Sequence, residues 1–290
     1  MGISQIVGKT VSMQLGVSLP AQELGSDLRA LARYATLTEQ LGFSHLRVGD
    51  QLVRPDAGPS HEPLTLLAFL AGATQRIELV TTVLVVPSRS TLLVAKQAAQ
   101  VDCLSGGRLR LGVGIGRYAP VYGANGKSFT NRGVRIEEQI NLLRSLWTQD
   151  RVDFEGRWEQ VSGLALNPLP VQRPIPIWYG ANRYPKAQVL DRIARLADGW
   201  FAICPLQRFE KLRQALLLRV AAAGRAPHAV GIEAQMDFPA SAPDAWLSEL
   251  DGWRRLGVER IAVRAPALGA GESAHVDALH ALQALANQAK

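Results

Sequence analysis

Between residues 73 and 116 the chain alternates two kinds of apolar run. Residues 77–86 and Leu109–Gly114 are near-continuous β-branched and leucine stretches, so both faces of each should be buried. That is the pattern of parallel strands covered by helices, not of strands with one wet face. Thr91–Ser105 between them is long enough for a crossover helix, and a Ser-Gly-Gly turn leads out of it. In such units chemistry collects where the strands end, here around residues 87–91 and 114–118.

The same alternation runs through the rest of the chain. Strands are predicted at residues 11–19, His45–Val48, 177–179, 199–203, Gly231–Asp237 and 260–263. Helices are predicted at 27–41, 63–74, 133–147, 186–196, 207–223, 242–256 and 273–288. Gly42 closes the first helix and Pro63 opens the second. Regularity breaks at residues 117–131, a Gly-, Pro- and Asn-rich stretch read as a long loop. A hairpin at 152–161, turning at Glu155-Gly156, and a proline-marked segment at 167–176 follow. Eight strands with helices between them predict a single (β/α)8 TIM barrel with an excursion around residues 117–176. A doubly wound sheet competes, but the turn after the first strand, SLPAQELGSD, lacks the Gly-rich phosphate fingerprint. One domain is expected over residues 1–290, with 1–10 a loose N-terminal extension.

Composition narrows the class. With 47% hydrophobic and 20% charged residues among 290, the chain has material for a large core and is not disordered. No apolar run is long enough to span a bilayer. The N-terminus lacks a secretion-type apolar segment with a cleavage site, so a cytoplasmic protein is expected. Cys103 and Cys204 form no pair motif, which suits a reducing compartment and small buried thiols. The net charge of +7 comes from arginines scattered over many helices, without a basic block or interleaved aromatics. That points away from nucleic acid and toward an anionic small ligand.

Several positions invite chemistry, each beside a plainer reading. Asp50, at the end of the second strand, suits a substrate anchor or a helix cap. Thr81 and Thr82 place hydroxyls inside a buried strand, where β-propensity alone accounts for them. Gly112, Gly114 and Gly116 permit bending or the close approach of a flat ligand. Gly180, Ala181 and Asn182, followed by Arg183, lie between a strand and a helix, as a phosphate site or an ordinary capped loop would. No nucleophile elbow, P-loop, zinc-protease or cysteine-cluster motif occurs, and the five histidines are scattered, so no metal is expected.

At these residues the chain resembles the bacterial luciferase-like family of flavin- and deazaflavin-dependent oxidoreductases. The matching segments are LTEQLGFSHLRVGDQ, RIELVTTVLVVPSRSTLLVAKQAAQVDCLSGGRLRLGVGIG, RIEEQINLLRSLW, VDFEG, PIPIWYGANRYPKAQVLDRIARLADGWF and LGVERIAV, in that order. The resemblance implies a TIM barrel holding reduced FMN or coenzyme F-420 (F420, an 8-hydroxy-5-deazaflavin) at its C-terminal mouth. It implies a non-proline cis peptide at Thr82-Val83 behind the ring and the cofactor phosphate on Gly180, Ala181 and Asn182, and Gly114, read above as a close-approach position, is expected to bind the cofactor as well. Sugar-phosphate dehydrogenases of this family carry a histidine after the aspartate and a glutamate after the strand-four glycines. Here Gln51 and Arg117 stand there, which removes that specific reading and leaves the cofactor site.

Length and the basic charge, set against the coenzyme's polyglutamate tail, favour F420 over FMN. The expectation is therefore F420-dependent hydride transfer, with Asp50 anchoring a polar group and Arg117 an anionic or carbonyl one. The alternatives are an FMN-dependent monooxygenase and a non-catalytic flavin-binding barrel. Residues 117–131 are expected to form a mobile aromatic lid. Expected partners are a small-molecule substrate, a flavin reductase in the FMN case, and a second copy of the chain in a homodimer.

Overall fold

Short buried strands alternate with helices, and the pairing between the strands closes a ring. The computed structural model describes residues 13–25, 27–51, 53, 58–238, 242–265, 268–269 and 271–288. The strands are β1 (Gln14–Ser18), β2 (His45–Val48), β3 (Glu78–Thr81), β4 (Leu84–Val85), β5 (Leu109–Gly114), β6 (Val152–Glu155), β7 (Gln160–Leu164), β8 (Ile177–Gly180), β9 (Gly199–Ala202), β10 (Gly231–Asp237) and β11 (Arg260–Arg264). The helices are α1 (Leu28–Gln40), α2 (Pro63–Ala73), α3 (Thr91–Ser105), α4 (Ala119–Ala124), α5 (Arg132–Thr148), α6 (Ala187–Leu196), α7 (Leu206–Ala222), α8 (Pro243–Arg255) and α9 (Glu272–Gln288).

All ring pairs are parallel: β1 with β2 and β11, β2 with β3, β3 with β5, β5 with β8, then β8–β9, β9–β10 and β10–β11. This is the expected (β/α)8 barrel, and α4, α5 and the antiparallel β6–β7 hairpin fill the excursion between β5 and β8. The predicted strand at 77–86 is divided: β4 continues β3 beyond Thr82 and Val83 and pairs with the end of β5. The Thr82-Val83 peptide is cis, as the resemblance implied, and Asn167-Pro168 and Arg173-Pro174 are cis as well. From Val80 to Leu84 the third strand advances further than its partner does from Arg110 to Val113, so a residue bulges out at Thr82 and Val83.

Local chemistry explains the boundaries. Asp27 caps α1 by accepting from the Arg29 and Ala30 amides at 3.0 Å, and Glu62 caps α2 through Thr65 N at 2.7 Å. The Leu-Ser-Gly-Gly-Arg-Leu stretch has a structural purpose. Gly106 and Gly107 turn with φ of 69° and 85°, and Arg108 donates to the carbonyls of Ala71, Thr74, Ile77 and Ser105. Residues 117–131 are not a plain loop. Pro120 lies in the first turn of α4, and the buried Tyr122 donates its hydroxyl to Ile115 O at 2.5 Å, so glycine and proline content concealed a pinned helix. The expected extension at 1–10 and the first residues of the predicted opening strand lie outside the described residues.

The apolar core lies between ring and helices, where Leu31, Leu46, Leu67, Leu79, Leu111 and Ile177 are fully buried. Inside the ring the filling changes. A small cluster of Val80, Trp178 and Phe201 shares that space with charged side chains. Among the described residues no helix is long and apolar enough to cross a membrane.

Candidate active site

Alternate side chains of a barrel strand point inward, and here several of those positions are ionic. Arg110 of β5 lies 2.6 Å from Glu233 of β10 and 2.9 Å from Glu78 of β3, with its guanidinium 4.3 Å from the Trp178 ring centre. Arg260 of β11 takes the same Glu78 oxygen at 2.7 Å. Arg47 of β2 donates to Gln235 Oε1 at 3.2 Å and keeps its Nε 3.6 Å from Glu233. His45 Nε2 is 3.3 Å from Glu233, near enough for charge attraction but off the hydrogen-bond direction. Burial alone would raise the Glu233 carboxyl, yet His45, Arg110 and Arg47 hold it far below the usual carboxylate range. Burial keeps His45 below its ordinary value against the pull of Glu233.

Above this floor the barrel mouth opens into two adjoining cavities. The larger, of about 580 Å³, is lined by Asp50, Gln51, Thr82, Val83, Val85, Gly116, Arg117, Tyr118, Val121 and Tyr122. The smaller, of about 240 Å³, lies over the ends of β1, β2, β10 and β11, where Arg47, Gln235, Arg264, His61 and His275 line it. Gln51 and Thr82 line both, so the bulge after β3 stands at the partition. Burial pushes the Tyr122 phenol up to about 12, so it stays protonated and donates.

The sequence-predicted residues fall into three groups. Asp50, Arg117, Thr82 and Val83 come together around the larger cavity. Asp50, with a side chain only 2% exposed, accepts from Val85 N and from Arg89, both at 2.9 Å, and Arg89 also holds Glu62 at 3.0 Å. It therefore braces the segment beyond the bulge. Arg117 is exposed at the rim and makes no hydrogen bond or ion pair among the described residues.

Gly114 and Gly180 both stand against Val83. A Cβ on Gly114 would overlap Val83 Cγ2, and one on Gly180 would overlap Val83 Cγ1. In the Cβ direction of both glycines the space is taken by Val83. Gly112 and Gly116 likewise face Thr81 O and Val85. Gly180, Ala181 and Asn182 line neither cavity, and α6 begins only at Ala187 after the N-cap Lys186. A loop thus separates these residues from the helix terminus expected to hold a phosphate.

Sequence reasoning missed Arg47, Gln235, His275, Arg110 and Glu233. The available signal was polar and charged residues at alternate positions inside apolar strands, as in HLRV, RLRLGVG and GIEAQMD. Among the described residues no group of His, Cys, Asp or Glu could hold a metal ion.

A family model described as luciferase-like monooxygenase matches residues 11–283. An F420-dependent glucose-6-phosphate dehydrogenase of Nocardia farcinica is 30% identical over 261 residues, covering 85% of this chain and 75% of that protein. An uncharacterized protein of Mycobacterium bovis is 33% identical over 184 residues, covering 57% of this chain, and the match spans only 62% of that relative's length. The fold matches monooxygenase RslO1 from Streptomyces bottropensis with a TM-score of 0.82 at 20% identity, covering 94% of this chain and 98% of that one. It matches an F420-dependent secondary alcohol dehydrogenase with a TM-score of 0.80 at 13% identity, covering 96% and 99%.

Proposed function

The chain belongs to the luciferase-like monooxygenase family, and from that premise we propose an oxidoreductase that uses F420 to move a hydride to or from a small organic substrate. The observation that carries the reading is the pair of cavities meeting at Gln51 and Thr82, one large enough for a cofactor ring and the other suited to a small substrate. The relative named as F420-dependent supports the choice of cofactor.

The larger cavity fits a flat, partly polar ring. Val83, Val85 and Val121 offer apolar walls, Tyr118 and Tyr122 a cover, and Arg117 a cation at the rim for an anionic tail or a substrate carbonyl. When bound, F420 supplies the carbon that accepts or donates the hydride. Asp50 acts by fixing Val85 and Arg89, which hold the bulged segment in place. Gln51, at the partition, can orient a substrate oxygen by hydrogen bonding but cannot exchange a proton. For that reason sugar-phosphate oxidation is not the reaction proposed. The reading takes the chain as one cytoplasmic domain that forms a homodimer, with a flavin reductase needed only if FMN were the cofactor.

Fluorescence titration with F420 and with FMN, followed by an oxygen electrode with each reduced cofactor, tests the proposal. Tight F420 binding with substrate turnover and no oxygen uptake is expected, and Arg117→Ala should lower that turnover. Stoichiometric oxygen consumption with reduced FMN would establish the monooxygenase alternative instead.

A further inference from the structure

The charge inside the barrel does not balance. Three guanidinium groups, Arg47, Arg110 and Arg260, share the interior with two carboxylates, Glu78 and Glu233. Arg110 and Arg260 take those carboxylates at 2.6–2.9 Å, while Arg47 is left with a 3.6 Å approach and an Nε that finds no hydrogen-bond partner. His45, an imidazole that is either neutral or cationic, can add no compensating negative charge. A cation buried without a full partner is costly, and the cost falls when an anion reaches it. Arg47 is 4% exposed and lines the smaller cavity beside its hydrogen-bonded partner Gln235. The cavity's other arginine, Arg264, is already matched by Asp237 at 2.9 and 3.1 Å, and Glu23, its lining carboxylate, makes no ion pair with Arg47.

We propose that the smaller cavity is a carboxylate-binding substrate site, in which Arg47 and Gln235 hold the acid group of a small carboxylate-bearing substrate. The inference rests on the oxidoreductase reading for the word substrate, but the anion site stands on Arg47's burial, its unpartnered Nε and its place in the cavity wall. One guanidinium with an unpartnered Nε, beside an amide in about 240 Å³, suits the two oxygens and single charge of a carboxylate better than a phosphate dianion. The site also lies across Gln51 and Thr82 from the proposed cofactor cavity, so a substrate anchored by its acid group would reach toward the partition.

The test uses the full chain without cofactor, titrated with acetate, with the neutral isostere acetamide and with inorganic phosphate, and followed by intrinsic fluorescence and thermal midpoint. Acetate should bind saturably and more tightly than phosphate, and acetamide should not bind. Arg47→Gln should weaken acetate tenfold or more, and Gln235→Leu, which leaves every charge in place, about threefold or more. Gln235→Leu keeps the test decisive if Arg47→Gln does not fold. Acetate affinity unchanged in the folded variants, acetamide binding equal to acetate, tighter phosphate binding, or loss of acetate binding in Arg117→Ala instead would each overturn the assignment. F420 titration of the same samples is independent, so failure of the cofactor reading and failure of the anion site are separately visible.

Discussion

If the glycines at the end of β5 exist to seat Val83, adding one methyl there should damage stability, and trimming Val83 should repair it. A Cβ at position 114 would overlap Val83 Cγ2, and Gly180 crowds the other methyl of the same side chain, so Val83 must shift out of its packed position toward the cavity to make room. Overpacking of this kind costs about 1–3 kcal/mol. Val83→Ala alone removes two methyls from a half-buried side chain, a loss of about 1 kcal/mol. In the double variant the new methyl occupies space that Val83 has vacated, so the combined loss should fall short of the sum by about 1 kcal/mol or more. Urea unfolding of the four proteins in the cycle measures this, and cofactor titration of the same set shows whether the mouth survives. Gly180→Ala should be rescued by the same Val83→Ala change, since its Cβ meets the other methyl. Strict additivity in both cycles would refute the packing argument. Lost cofactor affinity at unchanged stability in Gly114→Ala would return that space to the ligand.

Two further outcomes follow from buried polar groups. His45 and Glu233 both have depressed pKa values in the fold, so the unfolded chain takes up protons first as pH falls. Stability should decline from about pH 6.5 downward through His45, and again below about pH 4.3 through Glu233. His45→Gln should flatten the urea-midpoint profile between about pH 7 and 5, and equal slopes in the two proteins would refute the assignment. Tyr122→Phe removes the bond to Ile115 O and should cost about 0.5–1.5 kcal/mol while speeding amide exchange across α4. Unchanged exchange there would mean that the edge-on packing of Tyr122 against Phe129, at 5.3 Å, holds the helix without the hydroxyl.

The barrel was legible because its signals are periodic. Continuous apolar runs such as LRLGVG alternate with capped amphipathic helices, and local propensity and burial agree about both. The site was less legible because its parts come from strand ends far apart in the chain. Asp50 and Arg117 were identified from their places after strands, and both do line the larger cavity. At Gly114 and Gly180 a missing side chain leaves the same trace in a sequence whether a cofactor or a valine needs the space, and in the fold Val83 takes the Cβ direction of both. Arg47 and Gln235 sit inside predicted strands, and these two partners lie 188 residues apart in the chain. The lone His275, read as part of a polar closing helix, is buried and lines the smaller cavity.

The ionic filling of the ring also bears on how the two halves of the molecule depend on each other. Arg47, His45, Arg110 and Glu78 arrive with the first four ring strands, whereas Trp178, Glu233, Gln235 and Arg260 arrive with the last four. Apart from Arg110–Glu78, the bonds among them join one set to the other: Arg110 to Glu233, Arg260 to Glu78, Arg47 to Gln235. A polypeptide cut in the proline-rich stretch before β8 would thus yield two fragments, each holding charges whose counterparts reside in the other. Half-barrels of this sequence are complementary pieces of a lock, each leaving interior charges unmatched until the other is present.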